Sequence, residues 1–261
     1  MTSAEQAAAM GQLRLAVVQL AALLGAGVAL LVTVFTYRLS RRGQVTDRFI
    51  KALERLGSEE LYVRLGGVLA LEQIMQDAPD QAPHAAAVLE AFVCERAPRR
   101  RGGASLPGSP PPLPEHPATD IQLALSALTR PKNRRHSTAT ILLDGLHLAG
   151  AGANFSDLTH MQLSRADLTR AQFTWSDLTD VRFFDADLTD ALLNGARLNG
   201  ARLNGANLTG AQLGGADLRG AIGLSVEQVV SARPTLSTKL PPEVAADPAV
   251  VRRLLEEGAG P

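Results

Sequence analysis

Residues 186–220 read ADLTD-ALLNG-ARLNG-ARLNG-ANLTG-AQLGG-ADLRG, seven blocks of five with alanine first and leucine third. The phase continues toward the N-terminus through Phe183, Leu178, Phe173, Leu168, Leu163, Leu158, Ala153 and Leu148 to Leu143, sixteen units in register. Two positions before nearly every centre sits a small or apolar residue, mostly alanine from Ala166 onward. A period of five fits neither a helix, at 3.6, nor a strand, at 2. Repetition at a fixed period marks a repeat architecture, which decides the fold before any other feature. A unit burying two residues in five has no core of its own and must stack on its neighbours.

The blocks Ala166-Asp-Leu-Thr-Arg170, Ala206-Asn-Leu-Thr-Gly210 and Ala216-Asp-Leu-Arg-Gly220 resemble the A-(D/N)-L-x-x unit of the pentapeptide-repeat family. That resemblance implies a right-handed, four-sided β-helix with one pentapeptide per side and four per coil. The centre and the alanine two before it would point inward, and the other three positions outward. Sixteen units then make about four coils, a rod roughly 20 Å long at the interstrand spacing. Phe173 would stack above Ala153 and below Leu193, a small residue beside a large one in a core that tolerates neither voids nor overpacking. The weakest unit is Ala151-Gly-Ala-Asn-Phe155. Centring it on Phe155 breaks register with Leu158, so Ala153 is read as inward.

Around the repeats the chain divides into seven parts. Residues 1–14 are a tail, 15–37 a transmembrane helix, 45–96 an α-helical segment and 97–118 a proline-rich linker. Residues 119–140 form a cap helix and basic loop, 141–222 the β-helix, and 223–261 a C-terminal helical cap and tail. The fold class expected is therefore mixed.

The span is inferred from Leu15–Tyr37, uncharged and apolar apart from Gln19, Thr33 and Thr36, long enough to cross a hydrocarbon core of about 30 Å. Arg38, Arg41, Arg42, Arg48 and Lys51 follow it, and only Arg14 precedes it. This bias predicts a single-pass protein of the inner membrane with its C-terminal part in the cytoplasm. Ala21, Gly25 and Ala29 have the small-xxx-small spacing of a homodimer seam.

Within 45–96 three helices are expected. Thr46 opens one ending at Gly57, with Phe49, Ile50, Leu53 and Leu56 apolar. Ser58 opens the next, with Glu59 and Glu60 in its first turn and Val63, Val68, Leu71 and Met75 inward. The third opens near Asp80 and Pro83. Thr46-Asp-Arg-Phe49, Leu56-Gly-Ser58 and Val63-Arg-Leu-Gly-Gly67 resemble the helical segment of bacterial membrane-anchored pentapeptide-repeat proteins. Arg64 and Glu72 are read as a structural ion pair. Proline density over 97–118 excludes regular structure and predicts an extended linker with solvated Arg99–Arg101. Thr119–Leu128 reads as a helix covering one end of the β-helix, and Ser225-Val-Glu-Gln228 has capping-box spacing for a lid at the other.

Little points to a reaction. The five histidines are scattered without metal-ligand spacing, and Asp157, Asp167, Asp177 and Asp187 recur because the motif admits aspartate before its centre. No cofactor is expected, and the chain reads as not an enzyme. The one cysteine, Cys94, fits a structural thiol. Balanced charge, 26 acidic against 26 basic residues, gives no reason to expect direct nucleic-acid binding.

Two functions remain. One is a membrane-tethered scaffold presenting the β-helix to a cytoplasmic protein. The other is nucleic-acid mimicry, as in pentapeptide-repeat proteins that protect DNA gyrase with an acidic rod. Nine Asp against six Arg over 141–220 leave a net of −3, weak for a duplex mimic, so the scaffold is favoured. Outward positions should form ladders twenty residues apart, pairing Arg165 with Asp185 and Arg170 with Asp190. Phe155 and Trp175, both two residues after a centre and twenty apart, would present two rings in one outward column, the expected partner patch.

Overall fold

The computed structural model describes residues 30–33, 45–100, 113–134 and 140–258. Residues 1–50 and 51–261 form two separate units. In the first, residues 30–33 are helical. The rest of the expected span 15–37, including Ala21, Gly25 and Ala29, lies outside the described residues. Among the described residues no helix is long and apolar enough to cross a membrane.

From Leu142 to Ile222 the backbone pairs in parallel with itself at a spacing of twenty residues. Four columns of bridges define four sides. Side 1 carries Leu142, Gln162, Arg182, Arg202 and Ile222; side 2, His147, Asp167, Asp187 and Asn207. Side 3 carries Gly152, Gln172, Leu192, Gln212 and Arg233; side 4, Asp157, Asp177, Arg197, Asp217 and Lys239. The sides are single-residue bridges separated by turns rather than extended strands. Five residues per side leave no more, because two of the five turn the corner.

The inward assignment follows the register. Leu143 through Leu218, at every fifth position, are buried, as are the alanines two before them. Ala153 lies inside at 7% exposure and Phe155 outside at 69%. A void of about 20 Å³ beside Ala153, lined by Leu148, Leu158 and Phe173 among others, is what remains where a small centre meets large neighbours. Ser176 replaces the usual alanine and is fully buried, its hydroxyl satisfied by Ala153 O.

Each corner is turned by the residue two after the centre, which has positive φ. Gly145 and Gly150 come first, then Phe155, His160, Arg165, Arg170, Trp175, Asp180, Asp185 and Asp190, with glycines from Gly195 to Gly220. Ahead of many corners the Asp or Asn before the centre accepts both the backbone N–H and the hydroxyl of Thr two residues on, as Asp167 does from Thr169 (3.1 and 2.7 Å). The same pairing ties Asp157 to Thr159, Asp177 to Thr179, Asp187 to Thr189 and Asn207 to Thr209. This explains the Asp-Leu-Thr spelling: the carboxylate competes for local backbone donors and fixes the turn.

An open coil edge exposes unpaired backbone groups, and the N-terminal edge is closed side by side. On side 1, Glu90 accepts from Leu142 N–H (3.1 Å), and Cys94 Sγ lies 3.3 Å from Leu142 O. On side 2, residues 98–100 pair antiparallel with 145–147, His147 N–H donating to Pro98 O (2.7 Å). On side 3, the Gln122 amide accepts from Gly152 N–H (2.9 Å) and donates to Gly152 O (2.7 Å). On side 4, Asp157 N–H donates to Thr129 O (2.7 Å), and Arg134 donates to Thr159 O (2.7 Å).

The helices that precede the β-helix are α1 (45–56), α2 (Leu61–Asp77), α3 (Ala82–Arg96), α4 (Thr119–Thr129) and α5 (Pro131–Arg134). Gly67 lets α2 approach α1 closely, since a Cβ there would lie 2.9 Å from Leu56 N. Three expectations are corrected here. Helix α2 begins at Leu61, so Glu59 and Glu60 precede it. The cause is Arg64, whose guanidinium takes Ser58 O and Glu59 O and holds that stretch out of the helix. Val63, at 36% exposure, faces out. Arg64 and Glu72 are not partners. Arg64 binds buried Asp120 at the start of α4 (2.7 Å), with Arg96 at 3.3 Å, and Glu72 binds Arg130 and Asn133. Helix α4 is thereby oriented on α2 and α3, so the segments read separately as 45–96 and 119–140 pack against one another. Such buried pairs orient more than they stabilise.

The linker also differs from a solvated tether at its ends. Arg100 donates to Asp185 O (2.8 Å) and pairs with Asp187 (3.5 Å), while Pro114 O meets His147 Nε2 (2.7 Å). Arg101 lies outside the described residues. At the C-terminal end the stacking outlasts the periodicity, with Arg233 and Lys239 bridging the last coil. Helix α6 (Val226–Ser231) opens with the Ser225–Gln228 capping box, and the Gln228 amide donates to Leu203 O and Ala206 O (2.8 and 2.7 Å). Helices α7 (Pro242–Ala245) and α8 (Pro248–Gly258) follow; Val250 is buried, whereas Val251 and Leu255 are exposed.

Candidate functional site

The corner between sides 3 and 4 carries, coil by coil, Phe155, Trp175, Gly195 and Gly215. Register holds the column together: Phe155 N–H donates to Thr174 O (3.0 Å), Trp175 N–H to Asn194 O (2.9 Å) and Gly195 N–H to Gly214 O (2.8 Å). Both rings are open, Phe155 at 69% and Trp175 at 63% exposure. The indole lies against Gly195, where a Cβ would meet its ring at 2.5 Å. The glycine therefore supplies the seat that orients Trp175. Both aromatic residues have left-handed backbone, φ 55° and 58°, a conformation that disfavours bulky side chains. The strain belongs to the corner, since His160, Arg165 and Arg170 share it.

The other three corners carry charge. The expected pairs Arg165–Asp185 and Arg170–Asp190 are not ion pairs among the described residues. The carboxylates of Asp180, Asp185 and Asp190 instead lie over Gly200, Gly205 and Gly210 on the next coil, and Arg170 reaches Glu115 (3.7 Å). Polar side chains twenty residues apart do meet elsewhere: His147–Asp167 (2.6 Å), His160–Asp180 (3.6 Å) and Arg197–Asp177 (3.4 Å). Burial pushes the Asp167 carboxyl upward, but hydrogen bonds from Thr169 and His147 outweigh it and leave the group below its usual range.

A groove of about 640 Å³ at the corner of sides 4 and 1 was not expected from the sequence. Arg134, Arg182, Arg202, His160 and Asp180 help to line it. The visible signal was Arg182 and Arg202, twenty apart and therefore adjacent. Cys94 is half-buried and its thiol pushed up by burial, so it is a weak nucleophile. Among the described residues no three His, Cys, Asp or Glu side chains converge as a metal site.

Four sides, a twenty-residue coil and an inward leucine in each five-residue step define a β-helix of stacked pentapeptides. The family model for pentapeptide repeats matches residues 147–184 and 186–222, in eight copies, and the chain is a pentapeptide-repeat protein. A pentapeptide repeat protein from Nostoc PCC 7120 is 32% identical over 38% of this chain and 74% of its own, with a TM-score of 0.29. Rfr23 from the cyanobacterium Cyanothece 51142 is 21% identical over 41% and 69%, with a TM-score of 0.29. QnrB1, a plasmid-mediated fluoroquinolone resistance protein, is 20% identical over 46% of this chain and 58% of its own length, with a TM-score of 0.34. No curated protein matches the chain.

Proposed function

We propose that this pentapeptide-repeat protein is a membrane-tethered, non-enzymatic scaffold. Residues 15–37 anchor it in the inner membrane of a bacterial cell, and the β-helix presents the Phe155–Trp175 corner to a cytoplasmic protein. The observation that carries the reading is the pair of open rings on adjacent coils, in a column otherwise made of glycine. Tryptophan concentrates binding energy at protein interfaces, and a ring seated on Gly195 loses little freedom on docking. The apolar run at 15–37 and the five-to-one basic bias around it support the tether and its orientation.

The test is capture from detergent-solubilised membranes with full-length chain and with F155A/W175A. A protein retained by the wild type and lost with the double variant supports the reading; equal recovery by both refutes it. A reporter at Pro261 should be active only if it requires cytoplasm, and activity of a periplasm-dependent reporter there would overturn the orientation. Duplex mimicry is the weaker reading, because side 1 sets Arg182 and Arg202 where a mimic needs acidic groups.

A further inference from the structure

The groove at the corner of sides 4 and 1 contains charge that the fold does not use. Arg182 and Arg202 are bridge partners on successive coils, Arg202 N–H donating to Val181 O and Phe183 N–H to Arg202 O (2.9 and 2.8 Å). Both side chains are exposed, and among the described residues neither makes an ion pair or a side-chain hydrogen bond. Like charges set directly opposite one another across a ladder destabilise it. The equivalent position on side 4 avoids this by pairing Arg197 with Asp177 (3.4 Å). A third guanidinium enters from α5, where Arg134 is held at the first coil by Thr159 O. The single lining carboxylate, Asp180, faces His160 (3.6 Å).

We propose that this groove binds an acidic peptide segment, with carboxylates paired to Arg182 and Arg202. The proposal deepens the scaffold reading and rests on it insofar as the segment belongs to a protein partner. Two features favour a peptide over an inorganic phosphate. Compact phosphate sites draw on free backbone N–H groups; here the amides of His160, Asp180, Arg182 and Arg202 are committed to the coil ladder. The groove also runs along the rod and ends at Ile222, 50% exposed, an apolar surface suited to a side chain. A nucleic acid is disfavoured by the surrounding rod, whose nine Asp outnumber six Arg. Guanidinium groups receive carboxylates in a bidentate fork, and two such pairs in one groove give an affinity that falls with salt.

The assay is fluorescence anisotropy of labelled hexaglutamate titrated with full-length chain in neutral detergent at low salt. R182Q/R202Q should weaken binding about tenfold, which is two exposed charge pairs at up to about 0.7 kcal/mol each. R165Q/R233Q removes the same charge elsewhere and should leave affinity within about twofold. W175A should not change it, so failure here and failure of the aromatic docking site are separable. Circular dichroism melts check that each variant is folded. Absence of saturable binding, or equal weakening in R165Q/R233Q, overturns the proposal. Pyrophosphate or oligothymidylate displacing the label at lower concentration than unlabelled hexaglutamate overturns it in favour of a phosphate or nucleic-acid site.

Discussion

Replacement of Gln122 by alanine tests whether the β-helix depends on side-chain closure of its first coil. The Gln122 amide supplies both a donor and an acceptor to Gly152, at 2.7 and 2.9 Å, imitating a missing strand. Each such bond contributes about 1 kcal/mol net, and more where the backbone partner is left partly buried and unpaired. Q122A should therefore cost about 2–3 kcal/mol, a fall in melting temperature of about 5–10 °C for a unit of this size. Q122E keeps an acceptor for Gly152 N–H but sets oxygen against Gly152 O, so it should be at least as damaging at neutral pH. Hydrogen exchange localises the effect: in Q122A the Gly152 amide should lose protection while Leu203 N–H, in the fourth coil, keeps it. Wild-type melting together with an unchanged Gly152 exchange rate in Q122A would refute the argument.

Three further outcomes follow from the geometry. Leu188, fully buried, should cost about 2–5 kcal/mol when cut to alanine, against under about 1 for D185A; equal melting losses would contradict the inward assignment. Gly145 and Gly205 both have positive φ, but only Gly205 has a carboxylate, that of Asp185, in the place of its missing Cβ. In melting experiments G145A should lose only the left-handed backbone cost of about 1–2 kcal/mol and G205A should lose more; the reverse order would be wrong for this packing. Hydrogen bonds from Arg219 hold Asp217 at a pKa of about 2, below the unfolded carboxyl value near 3.9. The stability this contributes is complete above that unfolded value and is lost as pH falls through the folded one. Melting temperature should thus drop less steeply between about pH 5 and pH 2 in D217N than in wild type.

The architecture was legible because its signal is periodic. Sixteen centres in phase leave little freedom, and registry with Leu158 places even the irregular unit at Ala153. Local sequence patterns mislead where a distant side chain intervenes. Ser58 followed by two glutamates is a sound helix start by propensity, yet Arg64 binds the carbonyls of Ser58 and Glu59 and delays the helix to Leu61. Arg64 and Glu72, two turns apart on α2, invite pairing, and their true partners Asp120 and Arg130 lie beyond the linker. The arginine groove was half legible. Registry places Arg182 beside Arg202, but whether a carboxylate neutralises them depends on how the Asp180 and Asp185 side chains turn along the rod.

A left-handed corner is met most cheaply by glycine, and coils after residue 195 use glycine throughout. Phe155, His160, Arg165, Arg170 and Trp175 occupy the same backbone conformation earlier in the rod. Each costs about 1–2 kcal/mol that glycine avoids, offset by about 0.5–1 from the greater freedom glycine brings to the unfolded chain. If Trp175 is retained for binding, W175G should melt at or above W175A, since alanine keeps the backbone cost and loses the ring as well. Both variants should fail in partner capture, the pattern of a site that trades stability for function. If the indole instead holds the coil together through Gly195, both should melt well below wild type, and W175G lower than W175A because glycine loosens the corner. That order, read from thermal melts of the two variants, would make the tryptophan a structural wedge and remove the ground for a docking site at this corner.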